Sequence, residues 1–177
     1  EAAKSNFKKA NSANPELNKT SDIAEVILNM AKNKERFGTP DEAEALYKLA
    51  FDFDASVKTG LAHSQFLYLH NNSAQAFEVA KTLLPNATGK DYSAVLSMLI
   101  KSAIDNSDAT NADAYMSKLT VDATNPDDML LVGIYYAFKK DTQKRNTFFG
   151  KTNPEFLRSQ KLREQYSQNT IDKYIFN

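Results

Sequence analysis

The chain has 177 residues, of which 42% are hydrophobic and 11% aromatic, enough to bury the core of one domain. Its 22 basic residues balance 22 acidic ones, so it lacks the positive excess that is typical of a dedicated nucleic-acid-binding protein. The lack of cysteine excludes disulfides, thiolate catalysis, iron–sulfur clusters and cysteine-ligated zinc sites. With 5 glycines, phosphate-binding loops are also disfavoured.

The first twenty residues are rich in Asn, Lys, Ser and Ala, which predicts a flexible leader or spacer over residues 1–20. Because the sequence begins at Glu1 rather than Met, we expect an upstream segment to have been removed by processing or truncation. One hypothesis is a bacterial periplasmic or outer-membrane-anchored protein with a lipidated cysteine upstream. The alternative is a cytoplasmic protein. No apolar run approaches the ~20 residues of a membrane span, so none is predicted.

Helix signals recur along the chain, whereas strand signals are nearly lacking. The first helix is predicted from Asp22 to about Phe37, with Ile23, Ile27, Met30 and Ala31 on its apolar side. The second has the clearest start, because Thr39 is a cap, Pro40 takes the first helical position and Glu42 completes a capping box. A third helix is predicted over 56–70, and a fourth from residue 72 to Pro85.

The second half continues this pattern. Asp91 is predicted to cap a fifth helix, and 105–111 is predicted as a polar loop before a short sixth helix. Asn125-Pro126 and Asn153-Pro154 repeat the cap-then-proline start. They predict a seventh helix to about residue 140 and a last helix over 154–168, with a brief helix over 142–149 between them.

Three segments place small, aromatic and apolar residues at characteristic spacings, and the first two are offset by 30 residues. They are Ala43-x3-Tyr47-x2-Ala50, Ser73-x3-Phe77-x2-Ala80 followed by Pro85, and Met129-x2-Val132-Gly133-x2-Tyr136. The first two resemble the second helix of the tetratricopeptide repeat (TPR), and the third resembles its first helix, with Met129 in place of the usual Trp. The resemblance covers about 22–150 as three to four units. The unit over 91–119 departs from it, lacking the small residues and the proline.

The predicted fold class is therefore all-α. The resemblance implies a right-handed stack of antiparallel helical hairpins, a TPR-like α-solenoid, over 21–150, with C-terminal capping helices over 151–177. A closed helical bundle is the alternative. We expect four side chains to be buried between successive helices, and two alanines to mark close helix contacts. These are Tyr47, Phe77, Leu96 and Tyr136, and Ala50 and Ala80.

Candidate chemical sites are few. His63 and His70 are the two histidines, seven residues apart on one helix, and no carboxylate follows either by three or four residues. This pattern predicts packed or surface side chains rather than metal ligands. Asp105, Ser107, Asn111 and Asp113 alternate like calcium ligands, but Thr110 and Met116 occupy the glycine and glutamate positions of such a loop. The sequence predicts no catalytic residue, no metal site and no cofactor.

One polar and aromatic stripe is a candidate binding surface. Thr59, His63, Phe66 and His70 share a face of the third helix. In the TPR family, first-helix side chains line a groove that holds a partner peptide. The resemblance extends this binding groove to four more residues, Lys32 and Arg36 on the first helix and Ser97 and Lys101 on the fifth. The alternative is that Phe66 is core and the others are ordinary surface.

The predicted function is a non-enzymatic adaptor for another protein or peptide that carries an acidic or carboxylate group. We expect neither a nucleic acid partner nor a membrane span. TPR-like lipoproteins often serve in envelope secretion, pilus or outer-membrane assembly, and the resemblance implies such a setting. Two alternatives remain, a structural or secreted helical protein without a groove, and an enzyme such as a hydrolase.

Overall fold

The computed structural model describes residues 20–152 and 154–176, and over these residues the regular secondary structure is entirely helical, without strands. The predicted leader and the cap at Asn153 lie outside the described residues. The helices are α1 (Thr20–Phe37), α2 (Pro40–Phe53), α3 (Val57–Leu69), α4 (Ser73–Leu83), α5 (Gly89–Asp105), α6 (Ala109–Met116), α7 (Pro126–Phe138), α8 (Thr142–Phe149), α9 (Pro154–Leu157), α10 (Gln160–Gln165) and α11 (Gln168–Thr170). A 3-10 turn, Leu84–Asn86, follows α4, and a π-helical turn, Ile171–Ile175, follows α11. The prediction of an all-α fold is confirmed.

The described residues up to His63 form one compact unit, and those from Ser64 onward form a second. In the first unit, α1 and α2 pack as a hairpin. The predicted capping box is present, because Thr39 Oγ1 accepts a hydrogen bond from Glu42 N and Glu42 Oε2 accepts one from Thr39 N, both at 3.3 Å. Tyr47 is buried, and its hydroxyl donates to Glu35 Oε2 at 2.7 Å. The hairpin core consists of Ala24, Ile27, Leu28 and Ala31 with Ala43, Tyr47 and Ala50.

In the second unit, α5 is the central helix and packs against α4, α6 and α7. Phe77 on α4 is buried and contacts Tyr115 edge-on, with ring centroids 5.9 Å apart. Ala80 is fully buried. Leu96 on α5 is buried as predicted, together with most of that helix. The buried residues of α5 are Val95, Leu96, Met98, Leu99, Ile100, Ser102, Ala103 and Ile104.

Helices α7 and α8 form another hairpin within the second unit. Asn125 accepts a hydrogen bond from Asp127 N at 3.0 Å and caps α7, as predicted. A Cβ atom added at Gly133 would lie 2.3 Å from the ring of Phe149, so glycine is needed for this close approach. Tyr136 is half-buried, in contrast to the prediction, because it stacks on the half-buried ring of Phe148 rather than entering the core.

Three boundaries differ from the sequence predictions. Helix α5 begins at Gly89, two residues before the expected cap. The expected polar loop is short, because α5 continues to Asp105 and Asp108 caps α6 by accepting from Asn111 N at 3.0 Å. The prediction of a single C-terminal helix over 154–168 is wrong. Ser159 and Ser167 take extended backbone conformations and begin separate helices, α10 and α11. Among the described helices, none is both long enough and apolar enough to cross a bilayer.

Candidate functional site

The predicted binding groove does not form an open surface along α3. Thr59, His63 and Phe66 are 2%, 6% and 2% exposed, so a partner cannot reach them. Thr59 Oγ1 instead donates to the backbone oxygen of Asp54. His70 is exposed, and its ring stacks on Phe66 with centroids 4.0 Å apart. The expectation that this face lines an accessible groove is therefore corrected.

On α5, Ser97 is half-buried. Lys101 contacts residues 164–176 of the same unit, which we name the C-terminal segment. Lys101 Nζ lies 4.4 Å from the centroid of the Tyr166 ring and donates to the Gln165 oxygen at 3.3 Å. Burial lowers the pKa of Lys101 to about 8, although Asp127 opposes this shift. Gln65 also reaches this segment, donating to the Glu164 oxygen at 3.0 Å. These side chains hold the segment in place instead of facing a groove.

The most connected polar group of the described residues is the Asp105 cluster, formed by Asp105, Ser73, Ser167, Asn169 and Thr170. Oδ2 of the carboxylate accepts from Ser73 Oγ at 2.5 Å and Ser167 Oγ at 3.0 Å. Oδ1 accepts from Asn169 Nδ2 at 2.6 Å and Thr170 Oγ1 at 3.0 Å. With four donors, the carboxylate is satisfied and anchors the C-terminal segment to the end of α5.

Tyr68 extends the Asp105 cluster into the core. Its hydroxyl donates to Thr170 Oγ1 at 3.0 Å, and burial raises the pKa of Tyr68 to about 12. The phenol therefore stays protonated and remains a donor at physiological pH. Each hydroxyl in this chain of hydrogen bonds has a partner, which indicates a structural role.

His63 is buried without a hydrogen bond to either ring nitrogen. Burial lowers the pKa of His63, Lys48 lowers it further, and Asp52 opposes these effects. The imidazole is therefore neutral at physiological pH. In the described part of the chain, no three His, Asp or Glu side chains are grouped so that they could hold a metal ion.

Exposed apolar side chains are concentrated on α1. Val26, Met30 and Phe37 are 59%, 50% and 86% exposed. Their spacings of four and seven residues place them on one face of the helix, and they span about 16 Å along its axis. We name these three residues the α1 stripe. The other exposed large hydrophobic residues of the described chain are Val121 and Phe176.

Sequence reasoning missed the α1 stripe because Met30 was assigned to the buried side of α1. The signal was a second apolar row, since α1 has Ile27 and Ala31 on one side and Val26, Met30 and Phe37 on another. The predicted groove residues Lys32 and Arg36 are also exposed on α1. Helical spacing places them on other sides of α1 than the stripe.

Comparison of the chain with protein-family models, with curated proteins and with solved structures finds no match. The side chains described above are therefore the basis for assigning a function.

Proposed function

We propose that the protein is a non-enzymatic adaptor that binds another protein through the α1 stripe. The observation that carries this proposal is the alignment on one face of one helix of three of the five large hydrophobic residues that are exposed in the described part of the chain. Isolated apolar side chains are common on protein surfaces, whereas an aligned group marks an interaction surface. Phe37 is the expected anchor, because it is the largest and most exposed of the three.

The fold that we propose for this adaptor is a right-handed stack of TPR-like hairpins. The pairs α1–α2, α5–α6 and α7–α8 support it, since each joins consecutive helices. In the second unit, α5 also contacts α7, so the first helices of two hairpins lie side by side, as expected in a stack. The small and aromatic residues that carry the resemblance, such as Tyr47, Phe77 and Ala80, are buried.

The partner that best fits the stripe is an amphipathic helix of another protein. A row of about 16 Å matches three turns of such a helix, whose own apolar residues would cover Val26, Met30 and Phe37. The setting in a bacterial envelope assembly is part of the proposal and rests on the repeat resemblance.

Site-specific photocrosslinking tests the proposed binding surface. Benzoylphenylalanine replaces Met30 in cells that make the protein, and, as a matched control, replaces Ala45, which is exposed on α2 of the same unit. We expect one discrete crosslinked partner at position 30 and none at position 45. A crosslink to a second copy of this chain, or equal crosslinking at both positions, would contradict the proposal.

The identified partner then allows a direct measurement. Phe37→Ser with Met30→Ser should weaken binding about tenfold or more in calorimetry, as for the loss of a hot spot. The free energy of unfolding should change by less than about 0.5 kcal/mol, because exposed residues contribute little to folding. Unchanged affinity of this variant would show that the partner binds elsewhere.

A further inference from the structure

A second surface of different chemistry lies on the α7–α8 hairpin. The rings of Tyr136 and Phe148 stack with centroids 5.5 Å apart and planes 18° apart. Lys144 Nζ lies 4.9 Å from the centroid of the Tyr136 ring, and Lys151 Nζ lies 5.6 Å from that of Phe148. We name these four residues the aromatic–lysine surface. The rings hold both ammonium groups in place by cation–π attraction.

This surface is the centre of a basic segment. Residues 139–151 contain five Lys or Arg and one acidic residue, whereas the formal net charge of the chain is zero. Lys140, Lys144 and Lys151 are exposed. The one acidic residue, Asp141, approaches Lys144 at 3.6 Å, a distance at which an exposed pair contributes little. A positive potential therefore remains for an incoming anion.

The hairpin that carries these cations is firmly held. The Tyr135 hydroxyl donates to Asp113 Oδ1 at 2.7 Å, and Lys139 Nζ donates to Asp113 Oδ2 at 2.8 Å, which fixes α7 to α6. The close approach of Gly133 to Phe149 fixes α8 on α7. The backbone that carries Lys144 and Lys151 is thus held in place before any ligand arrives, which lowers the entropic cost of binding.

We propose that the aromatic–lysine surface binds an acidic segment of a protein, rich in Asp or Glu. An ammonium group above a ring keeps N–H donors on its other side, and these match carboxylate oxygens. A nucleobase would need a free ring face, but Tyr136 and Phe148 cover each other and are covered by the lysines. This site is independent of the α1 stripe.

Fluorescence anisotropy tests this proposal with the full chain and a fluorescein-labelled decapeptide of alternating Glu and Ser. We expect saturable binding that weakens as salt is raised from low to physiological concentration. Lys144→Gln with Lys151→Gln should lower the affinity roughly fivefold or more. The matched control is Lys81→Gln with Lys90→Gln, which removes the same charge from exposed positions of the same unit and should lower it less than about twofold.

A third variant separates the rings from the charges. Tyr136→Leu keeps both lysines but removes the ring beneath Lys144, so it should also weaken the peptide complex, with an unchanged helical circular-dichroism spectrum as the check of folding. Lack of saturable binding would overturn the proposal. An equal loss of peptide affinity in the two double-lysine variants would overturn it as well. Tighter binding of an oligothymidylate of the same length would instead assign the surface to nucleic acid.

Discussion

At the scale of single residues, the buried ring of His63 contributes to the pH dependence of stability near neutral pH. Its ring is buried and has no hydrogen-bond partner, so the charged form is disfavoured in the folded state. The pKa of His63 is therefore lower when folded than its usual 6.5. As the pH falls, the unfolded chain binds the proton before the folded chain does. The contribution of His63 to the free energy of unfolding is therefore fully present above about pH 6.5 and decreases below it.

We predict that His63→Leu reduces this pH dependence. Between pH 7 and the folded pKa of His63, the wild-type free energy of unfolding should fall by at most about 1.4 kcal/mol per pH unit from this group. The variant should show a smaller slope in urea unfolding at several pH values. His70→Leu is the matched control, because it makes the same substitution at an exposed position of the same helix. Equal slopes for wild type and His63→Leu would contradict the assignment.

At the scale of helices, the Asp105 cluster joins elements that are distant along the chain. Asp105→Asn keeps the shape of the side chain but replaces one acceptor oxygen with a donor nitrogen, leaving two hydroxyl or amide donors without a partner. We expect a loss of about 2–4 kcal/mol in the free energy of unfolding, since hydrogen bonds to a charged group are strong. Hydrogen exchange of 167–176 should become faster than that of α5.

The matched control for this prediction is Asp108→Asn, three residues later. Asp108 caps α6, and asparagine is an equally good cap, so its stability should change by less than about 0.5 kcal/mol. If Asp105→Asn were as neutral as the control, the hydroxyl and amide donors around Asp105 would have other partners. The C-terminal segment would then depend on apolar contacts alone.

Helix starts could be predicted from the sequence because their signals are local. The capping box at Thr39 and the Asn125 cap before Pro126 each lie within four residues of the start of their helix, and both are confirmed. The Asp105 cluster could not be predicted, because its donors come from residue 73 and from residues 167–170. One signal was available. A carboxylate in the last turn of a helix opposes the helix dipole and so indicates other donors nearby.

The groove was misassigned for a related reason. Helical spacing correctly places Thr59, His63 and Phe66 on one face, but it does not say whether that face is covered. Lys58 is the one Lys, Arg, Asp or Glu within α3, and a helix that is apolar on most sides is usually buried. This composition was the better guide, and the structure buries Leu67 and Tyr68 on other sides of the same helix.

At the scale of the whole molecule, stability comes from apolar burial without covalent cross-links. The chain has no cysteine, and its described core is formed by Ala, Leu, Ile and aromatic side chains from most of the helices. The described polar clusters are closed by hydrogen bonds within the chain, as at Asp105. Apolar burial and satisfied hydrogen bonds of this kind are the usual source of stability in a folded domain.

We therefore predict that EDTA and a reducing agent each change the melting temperature of the full chain by less than about 1 °C. A metal bound at about 100 times its Kd would stabilise the fold by about 2.7 kcal/mol, which corresponds to roughly 5–10 °C for a chain of this length. Differential scanning calorimetry resolves this difference easily. A fall of several degrees with EDTA, reversed by one added cation, would reveal a metal site and remove the argument that hydrophobic burial and hydrogen bonds suffice.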